Sequence, residues 1–384
     1  MTLNILFASS YSELGGGETA LLTLAQNLDL ERYHPHLLVL REGQLSERWR
    51  ESGWPVHVTP WRGANVNFIP ALWARLPVSR RFEHIIRQHN IQAVHSDYHS
   101  LPTLLPAAER CGIPTLWTCM GWWFRPRWWQ RGFFQRPVAT FAHSQAIKSG
   151  FLGDPPFMPP QSIEVLYPGV DTHRFHPGVD GIKVRFDNNI PQDGLVVALI
   201  ARFQDVKGHD VFQEMAKQVA LQLPQTTFIV AGENTQTQAD DSYKQHILDS
   251  ARAEPLLRKR LMYLGFRSDV ERVIGAADVV VCSSHFEGYG VVNIEAMACG
   301  KPVVSTNQGG PAETIVDGET GYLVPPRDAV ALASKVIPLL RDSDLRQRMG
   351  AAGRARVEEH FSGAANGQQF MKALDRVLNQ DRNP

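Results

Sequence analysis

Two glutamates eight positions apart, Glu287 and Glu295, flank a glycine loop and a helix start in SSHFEGYGVVNIEAMACGKPVVST, Ser283 to Thr306. Gly288 and Gly290, on either side of Tyr289, let the backbone approach a ligand closely. The first turn of a helix leaves N–H groups unpaired at the positive end of its dipole. Together these features attract an anion, most often phosphate. Carboxylates repel phosphate, so Glu287 and Glu295 would face another part of the same ligand, and sugar or ribose hydroxyls are good donors to them. The alternative for each is local: Glu287 capping a loop, Glu295 an early-helix glutamate favoured by the dipole. Arg202 and Lys207, in ARFQDVKGHD, add a two-pronged and a point-like phosphate ligand. A charged loop after a strand carries no function by itself; this one gains meaning only beside the glutamates.

The elements that must position these residues are legible as short apolar runs. Val279–Cys282 is too short for a helix and rich in β-branched residues, which predicts a buried parallel strand. A helix is expected from near Val291, a strand over Lys301–Ser305, and a tight turn at Gly309-Gly310. Strand, glycine loop, helix and strand form one βαβ unit, with the loop at the carboxyl end where open α/β sheets bind ligands. Upstream, Leu195–Ala201 reads as a strand running into Arg202, Asp210–Leu223 as an amphipathic helix, and Thr226–Ala231 as a strand ending at Gly232. Leu261–Phe266 is another strand. Helices are expected after Pro326, over LASKVIPLL, Asp344–His360 and Ala364 to about Asn379. The triplet Asp342-Ser343-Asp344 could be taken for an acidic metal motif, but it stands at a helix start, where Asp and Ser cap.

The first half repeats the pattern. Leu3–Ala8 is the opening strand, and Gly15, Gly16 and Gly17 lead into a helix bearing Leu21, Leu22 and Leu24. A dinucleotide site would place GxGxxG directly after the strand, so NAD fits poorly. Further strands are expected at His36–Leu40, Val56–Thr59, Ala93–Ser96, Thr115–Cys119 and Thr140–His143. Such alternation implies parallel sheets. HSDYHS, His95 to Ser100, ends one strand on the ligand side, where His95, Asp97 or His99 could act as base or contact an acceptor. A buried, hydrogen-bonded His95 with a purely structural role is equally open.

At 384 residues the chain is too long for one ordinary core and suits two domains. Its 39 basic and 39 acidic residues balance, which argues against a nucleic-acid partner. The four cysteines lack paired spacing and fit free thiols in a reducing cytoplasm. No leader and no run of spanning length is evident, so any membrane contact is expected to be peripheral. One segment invites such contact: GWWFRPRWWQRGFFQRP, Gly121 to Pro137, holds four tryptophans and three phenylalanines interleaved with arginines. Amphipathic rings and guanidinium groups suit the headgroup layer. Trp122, Trp123, Arg125, Trp128 and Trp129 are therefore the expected membrane or acceptor residues, with internal packing as the alternative.

The string EGYGVVNIEAMACGKPVVST, continued by GGPAETIVDGETGYLVPP, closely resembles the signature of the family-4 retaining glycosyltransferases. The resemblance implies the GT-B fold: α/β, two Rossmann-like domains facing across a cleft, with a C-terminal helix crossing back to the first domain. It implies domains at 1–177 and 178–361, with the last helix at 362–384. By the same resemblance Glu287 contacts the donor sugar, Glu295 the ribose, and the amides of Val291 and Val292 the diphosphate. Arg202 and Lys207 join them, Gly16-Gly17 lie over the donor phosphates, Phe266 borders the base, and Gly232 is among the donor-binding residues. Many relatives carry a histidine in a T-x-H arrangement; here Thr118-Cys119-Met120 puts a methionine in its place. The implied partners are a nucleotide-sugar donor, UDP-linked before GDP-linked, and a glycan or lipid-linked acceptor, as in cell-envelope polysaccharide or glycolipid synthesis. The implied location is cytoplasmic, at the inner membrane face, and no metal or other cofactor is expected. An epimerase of the same fold, or a carbohydrate-binding protein without activity, is the alternative.

Overall fold

The strands form two parallel sheets, described by a computed structural model over residues 2–63, 67–121, 125–234 and 238–380. The first contains β1 (Leu3–Ser9), β2 (Tyr33–Val39), β3 (Val56–Val58), β4 (Ile91–Ser96), β5 (Thr115–Cys119), β6 (Ala139–Ala142) and β7 (Ile163–Val165). Their order across the sheet is β3-β2-β1-β4-β5-β6-β7. The second contains β8 (Val196–Ile200), β9 (Thr227–Ala231), β10 (Leu261–Gly265), β11 (Val279–Cys282), β12 (Val303–Thr306) and β13 (Tyr322–Val324). Its order, β10-β9-β8-β11-β12-β13, repeats the first. Both are doubly wound, and in each the winding reverses once, between β1 and β4 and between β8 and β11. The crevice past the carboxyl ends at such a reversal is where these sheets take ligands.

β2 begins at Tyr33, three residues before the expected start, although Pro35 lies within it. Proline cannot donate to a ladder. Here it costs nothing on one side, because β3 pairs only with Leu37–Val39 and stops short of it.

The chain divides into one unit running to Gly169 and including the last helix, Gly363–Gln380, and a second unit, Val170–Ser362. The last helix completes the core of the first unit: Phe370, Ala373, Leu374 and Val377 are buried with Phe7, Leu24 and Trp49. Arg32 and Tyr33 both donate to Asp375 on that helix, and Gln369 Nε2 donates to the Val165 carbonyl at 2.7 Å. The second unit buries β8, β9 and β11 against the helices His209–Gln222 and Ala329–Arg341, through Phe212, Val219, Leu332 and Val336. Asp342 accepts a hydrogen bond from Leu345 N–H at 2.9 Å and caps the helix Ser343–His360, the capping role its position suggested. Among the described residues all four cysteines are free, and no helix is long and apolar enough to cross a membrane.

Candidate functional site

At the reversal point of the second sheet, the loop after β8 and the loop after β11 are fastened together. His285 N–H donates to the Val206 carbonyl at 2.8 Å, and Ser283 Oγ to the Lys207 carbonyl at 3.1 Å. This brings Lys207 Nζ to 2.6 Å from Glu287 Oε2, across eighty residues of sequence. Both side chains are about one-fifth exposed, so the pair sits at the mouth of the crevice, neither buried nor fully solvated. Ser284 Oγ donates to the same carboxylate oxygen at 3.2 Å. Arg202, between the end of β8 and Lys207, is exposed and forms no ion pair among the described residues.

Glu287 is held from behind as well. Its N–H donates to the Gln308 carbonyl at 3.2 Å, and its own carbonyl accepts from Gly310 N–H at 2.9 Å. The loop after β12 thus runs alongside it, and Gly309 permits the approach: its φ is +87°, and a Cβ there would lie 2.0 Å from the Glu287 carbonyl oxygen. Gly309→Ala is accordingly expected to push the Glu287 backbone aside, cutting turnover by at least about tenfold and lowering the melting midpoint. A rate assay and a thermal melt on the purified variant check both.

Gly290, at φ +86°, is the residue preceding the helix Val291–Ala298. The amides of Val291 and Val292 belong to its first turn and have no intrahelical acceptor. Asn293, fully buried, donates to Ser305 Oγ at 3.1 Å and pins that turn to β12. Gly288 and Tyr289 complete the loop; Tyr289 is buried and Gly288 is half-buried.

Glu295 faces inward from the same helix. Burial raises its carboxyl to about 7 from the ordinary 4.5, with Arg174 pulling it back and Glu271 pushing it further up. Arg174 is tied to Glu271 at 2.7 Å and to the Ser268 carbonyl at 2.8 Å. Neither Arg174 nor Glu271 stands out in the sequence, because no local spacing links a turn-rich connector to a helix a hundred residues later; only the tertiary packing makes them neighbours. Gly232 ends β9 against the Ala201 carbonyl, and Phe266, just past β10, is 66% exposed, a large ring left open beside these loops.

In the first unit the reversal point is built differently. Asp97, after β4, accepts from Ser10 N–H at 2.7 Å, Ser10 Oγ at 3.1 Å, Ser100 N–H at 2.7 Å and Ser100 Oγ at 2.6 Å. Its carboxylate is buried and used in full to join the loops after β1 and β4. His95 is buried, bonded through Nε2 to Thr118 Oγ1 at 2.7 Å, and desolvation holds its pKa down near 3. His99 lies 3.2 Å from the Tyr11 hydroxyl. A cavity of about 70 Å³ opens here, lined among others by Tyr11, Gly17, His95, Asp97 and Met120. Gly16 and Gly17 begin the helix Gly16–Gln26, whose Glu18 carboxylate accepts from Gly15 N–H at 3.1 Å. Met120 packs its sulfur against Gly17.

Of the Trp-rich segment, Trp122 and Trp123 lie outside the described residues. Arg125 is exposed, and the helix Trp128–Phe134 leaves Trp128 78% and Trp129 41% exposed. Its Gln130 is buried and donates to the Phe68 carbonyl at 3.0 Å, which seats the helix beside Ile69 and Leu72, both also exposed.

Two family models match the chain: Glycosyltransferase Family 4 over residues 14–174 and Glycosyl transferases group 1 over residues 181–356. A GDP-mannose-dependent alpha-(1-6)-phosphatidylinositol monomannoside mannosyltransferase of Mycolicibacterium smegmatis is 29% identical over 316 residues, covering 77% of this chain and 80% of that protein. In several other curated relatives the matched stretch spans only about half of the relative's length. Among solved structures, a glycosyltransferase from Rickettsia africae superposes with a TM-score of 0.84 at 20% identity, covering 98% of this chain and 99% of that one. An Anabaena protein in complex with UDP and glucose gives 0.78 at 21% identity, over 97% and 99%. Together with the two sheets wound in one order, these matches carry the conclusion: the chain belongs to the group 1, family 4 glycosyltransferases and is a retaining glycosyltransferase of the GT-B fold.

Proposed function

We propose that the chain transfers a sugar from a nucleotide diphosphate, UDP before GDP, to a hydroxyl of a glycan or lipid-linked acceptor. The observation that carries this reading is the Lys207–Glu287 pair at 2.6 Å beside the first turn of the helix Val291–Ala298. A cation and free amides suit a diphosphate, while a carboxylate held against the cation suits the hydroxyls next to it. In this reading Arg202, Lys207 and the amides of Val291 and Val292 stabilise the charge that grows on the departing diphosphate. Glu287 orients the sugar, Glu295 takes the ribose hydroxyls, and Gly232 and Phe266 border the base. The acceptor hydroxyl loses its proton beside the leaving phosphate, so no side-chain base is required and Met120 is tolerated. Asp97 and His95 position the loops of the first unit. The test is a panel of UDP-, GDP- and ADP-sugars read by thermal stabilisation and slow hydrolysis. Stabilisation by none of them would refute the reading, and donor interconversion without acceptor would favour the epimerase instead.

The raised carboxyl of Glu295 gives the reading a pH signature. Between the ordinary value of 4.5 and about 7 the folded chain keeps a proton that the unfolded chain has lost. Stability from this group is present in full below the lower value and disappears as pH rises through the upper one, on the order of 3 kcal/mol. Hydroxyl donors favour the ionised form, so donor affinity runs the other way. Titration calorimetry with the best UDP-sugar, whose diphosphate does not titrate in this range, should show roughly tenfold tighter binding at pH 8 than at pH 6. Glu295→Gln should bind more weakly and without that slope.

For the acceptor side we propose that Trp128, Trp129, Ile69 and Leu72, with Arg125 and Arg127, rest on an anionic lipid surface. Arg127 stacks over the Trp129 ring at 5.9 Å, so the two are presented together. Vesicles containing anionic lipid should float the wild type, and replacing Trp128 and Trp129 with serine should reduce the floated fraction severalfold. Equal flotation of both proteins, or none, would remove this part of the proposal.

A further inference from the structure

Three histidines that play no part in the donor site converge on one face of the first sheet. His36 on β2, His57 on β3 and His89, which follows the helix Pro77–Gln88, each offer a ring nitrogen within 4.8 Å of the other two. His36 Nδ1 and His57 Nε2 stand 3.1 Å apart. The His57 and His89 rings lie 4.3 Å apart between centroids. A fourth imidazole, His34, is 5.2 Å from His36 and shares its face, since residues two apart on a strand point the same way.

The arrangement is built by the fold. Leu6, Leu38 and Val94 on the same sheet face are covered by Phe82 and Ile86 of the helix Pro77–Gln88. The end of that helix is tied down where Asn4 Nδ2 donates to the His89 carbonyl at 2.9 Å, at the start of β1. His89 is thereby held at the amino end of β1, while His36 is level with Leu6 in mid-strand and His57 is level with Leu38, so the rings meet along the outer, β2–β3 side of the sheet. The negative end of the helix dipole also favours a cation there.

As hydrogen-bonding groups the rings do not balance. His36 is 4% exposed, and its Nε2 is buried without a partner. A buried imidazole nitrogen left unpaired is costly. Uncharged imidazole is the form that ligates metals, and three such rings offer their nitrogens to one point here. Two nitrogens on one tetrahedral zinc sit about 3.3 Å apart, given Zn–N bonds of about 2.0–2.1 Å, close to the His36–His57 spacing.

We propose that His36, His57 and His89 form a structural site for a divalent transition metal of the zinc class, with the fourth position open to water or to His34. Its role is to fasten the short edge strand β3 and the end of the helix Pro77–Gln88 onto β2. Three imidazoles and no carboxylate suit zinc, nickel or copper and disfavour calcium or magnesium.

The test uses the full-length, tag-free protein after chelation. Zinc titrated by calorimetry should bind with one equivalent per chain and raise the melting midpoint, and cobalt should give the visible absorption of a tetrahedral site. His57→Gln and His89→Gln, both half-exposed positions, should each fold and each weaken zinc binding by more than about tenfold, since even outer-shell partners cost that much. His36→Ala, in the buried position, is read only if it folds. Zinc binding unchanged in the His57→Gln/His89→Gln double variant, or absent from the wild type, would overturn the proposal. Donor binding by the same samples is an independent readout, so failure here leaves the transferase reading standing.

Discussion

Lys207→Ala is expected to lower turnover by roughly 10²–10³-fold while leaving the fold intact, and Glu287→Ala to do the same. The magnitude is that of removing one preorganised group from a site where charge develops. The fold should survive because both side chains keep about one-fifth of their surface in solvent and neither belongs to the apolar core of the unit. A purely structural ion pair predicts a different pattern. There, each single change would cost stability and spare the rate of the folded enzyme. The charge-exchanged double variant, Lys207→Glu with Glu287→Lys, separates the cases. It restores an ion pair, so the melting midpoint should recover, yet it places a carboxylate where the diphosphate would sit, so activity should stay lost. Recovery of the rate along with the melting midpoint would defeat the assignment of both residues. Arg202→Ala belongs to the same series: being exposed and outside any ion pair among the described residues, it should alter activity with little change in stability.

Asp97→Ala is expected to do the reverse, lowering stability first. Its carboxylate accepts from two backbone amides and two hydroxyls, and deleting it strands buried donors in both loops. Losing these bonds should cost about 3 kcal/mol or more, equivalent to a fall of roughly 6–12 °C in the melting midpoint. Asp97→Asn should fall partly as far, because its amide nitrogen must confront a donor. A general base would behave otherwise: Asp97→Asn would melt like the wild type and lose its rate together with one limb of the pH profile. Thermal melts and pH–rate profiles of the two variants side by side decide between these roles.

These two expectations differ because the same topological position is used in two ways. At β8/β11 the reversal point leaves a cation, a carboxylate and a helix start open. At β1/β4 the carboxylate, Asp97, is spent on joining the two loops. In the sequence each is a strand running into polar residues; ARFQDVKGHD gained weight from Glu287 and Glu295, while HSDYHS left a catalytic and a structural role equally open. What the string could not carry was the number of partners each carboxylate finds.

Much of the fold was nevertheless legible. Most strands began and ended within a residue or two of the positions expected from their apolar runs, because a buried parallel strand is β-branched and short and glycines punctuate it. The exceptions have reasons. β2 hid three residues behind Pro35, which the early end of β3 makes harmless. β7 and β13 are three residues long each, too short to show a period.

The sequence by itself determined the βαβ rhythm, the glycine loop before Val291 and the residue types of the candidate site, since all of these are set by neighbours within one turn or one strand. Only the tertiary structure decided that Lys207 meets Glu287, that Arg174 and Glu271 bear on Glu295, and that three scattered histidines share one face. Those outcomes depend on strand order and register, which bring together side chains tens of residues apart and are written in no local pattern.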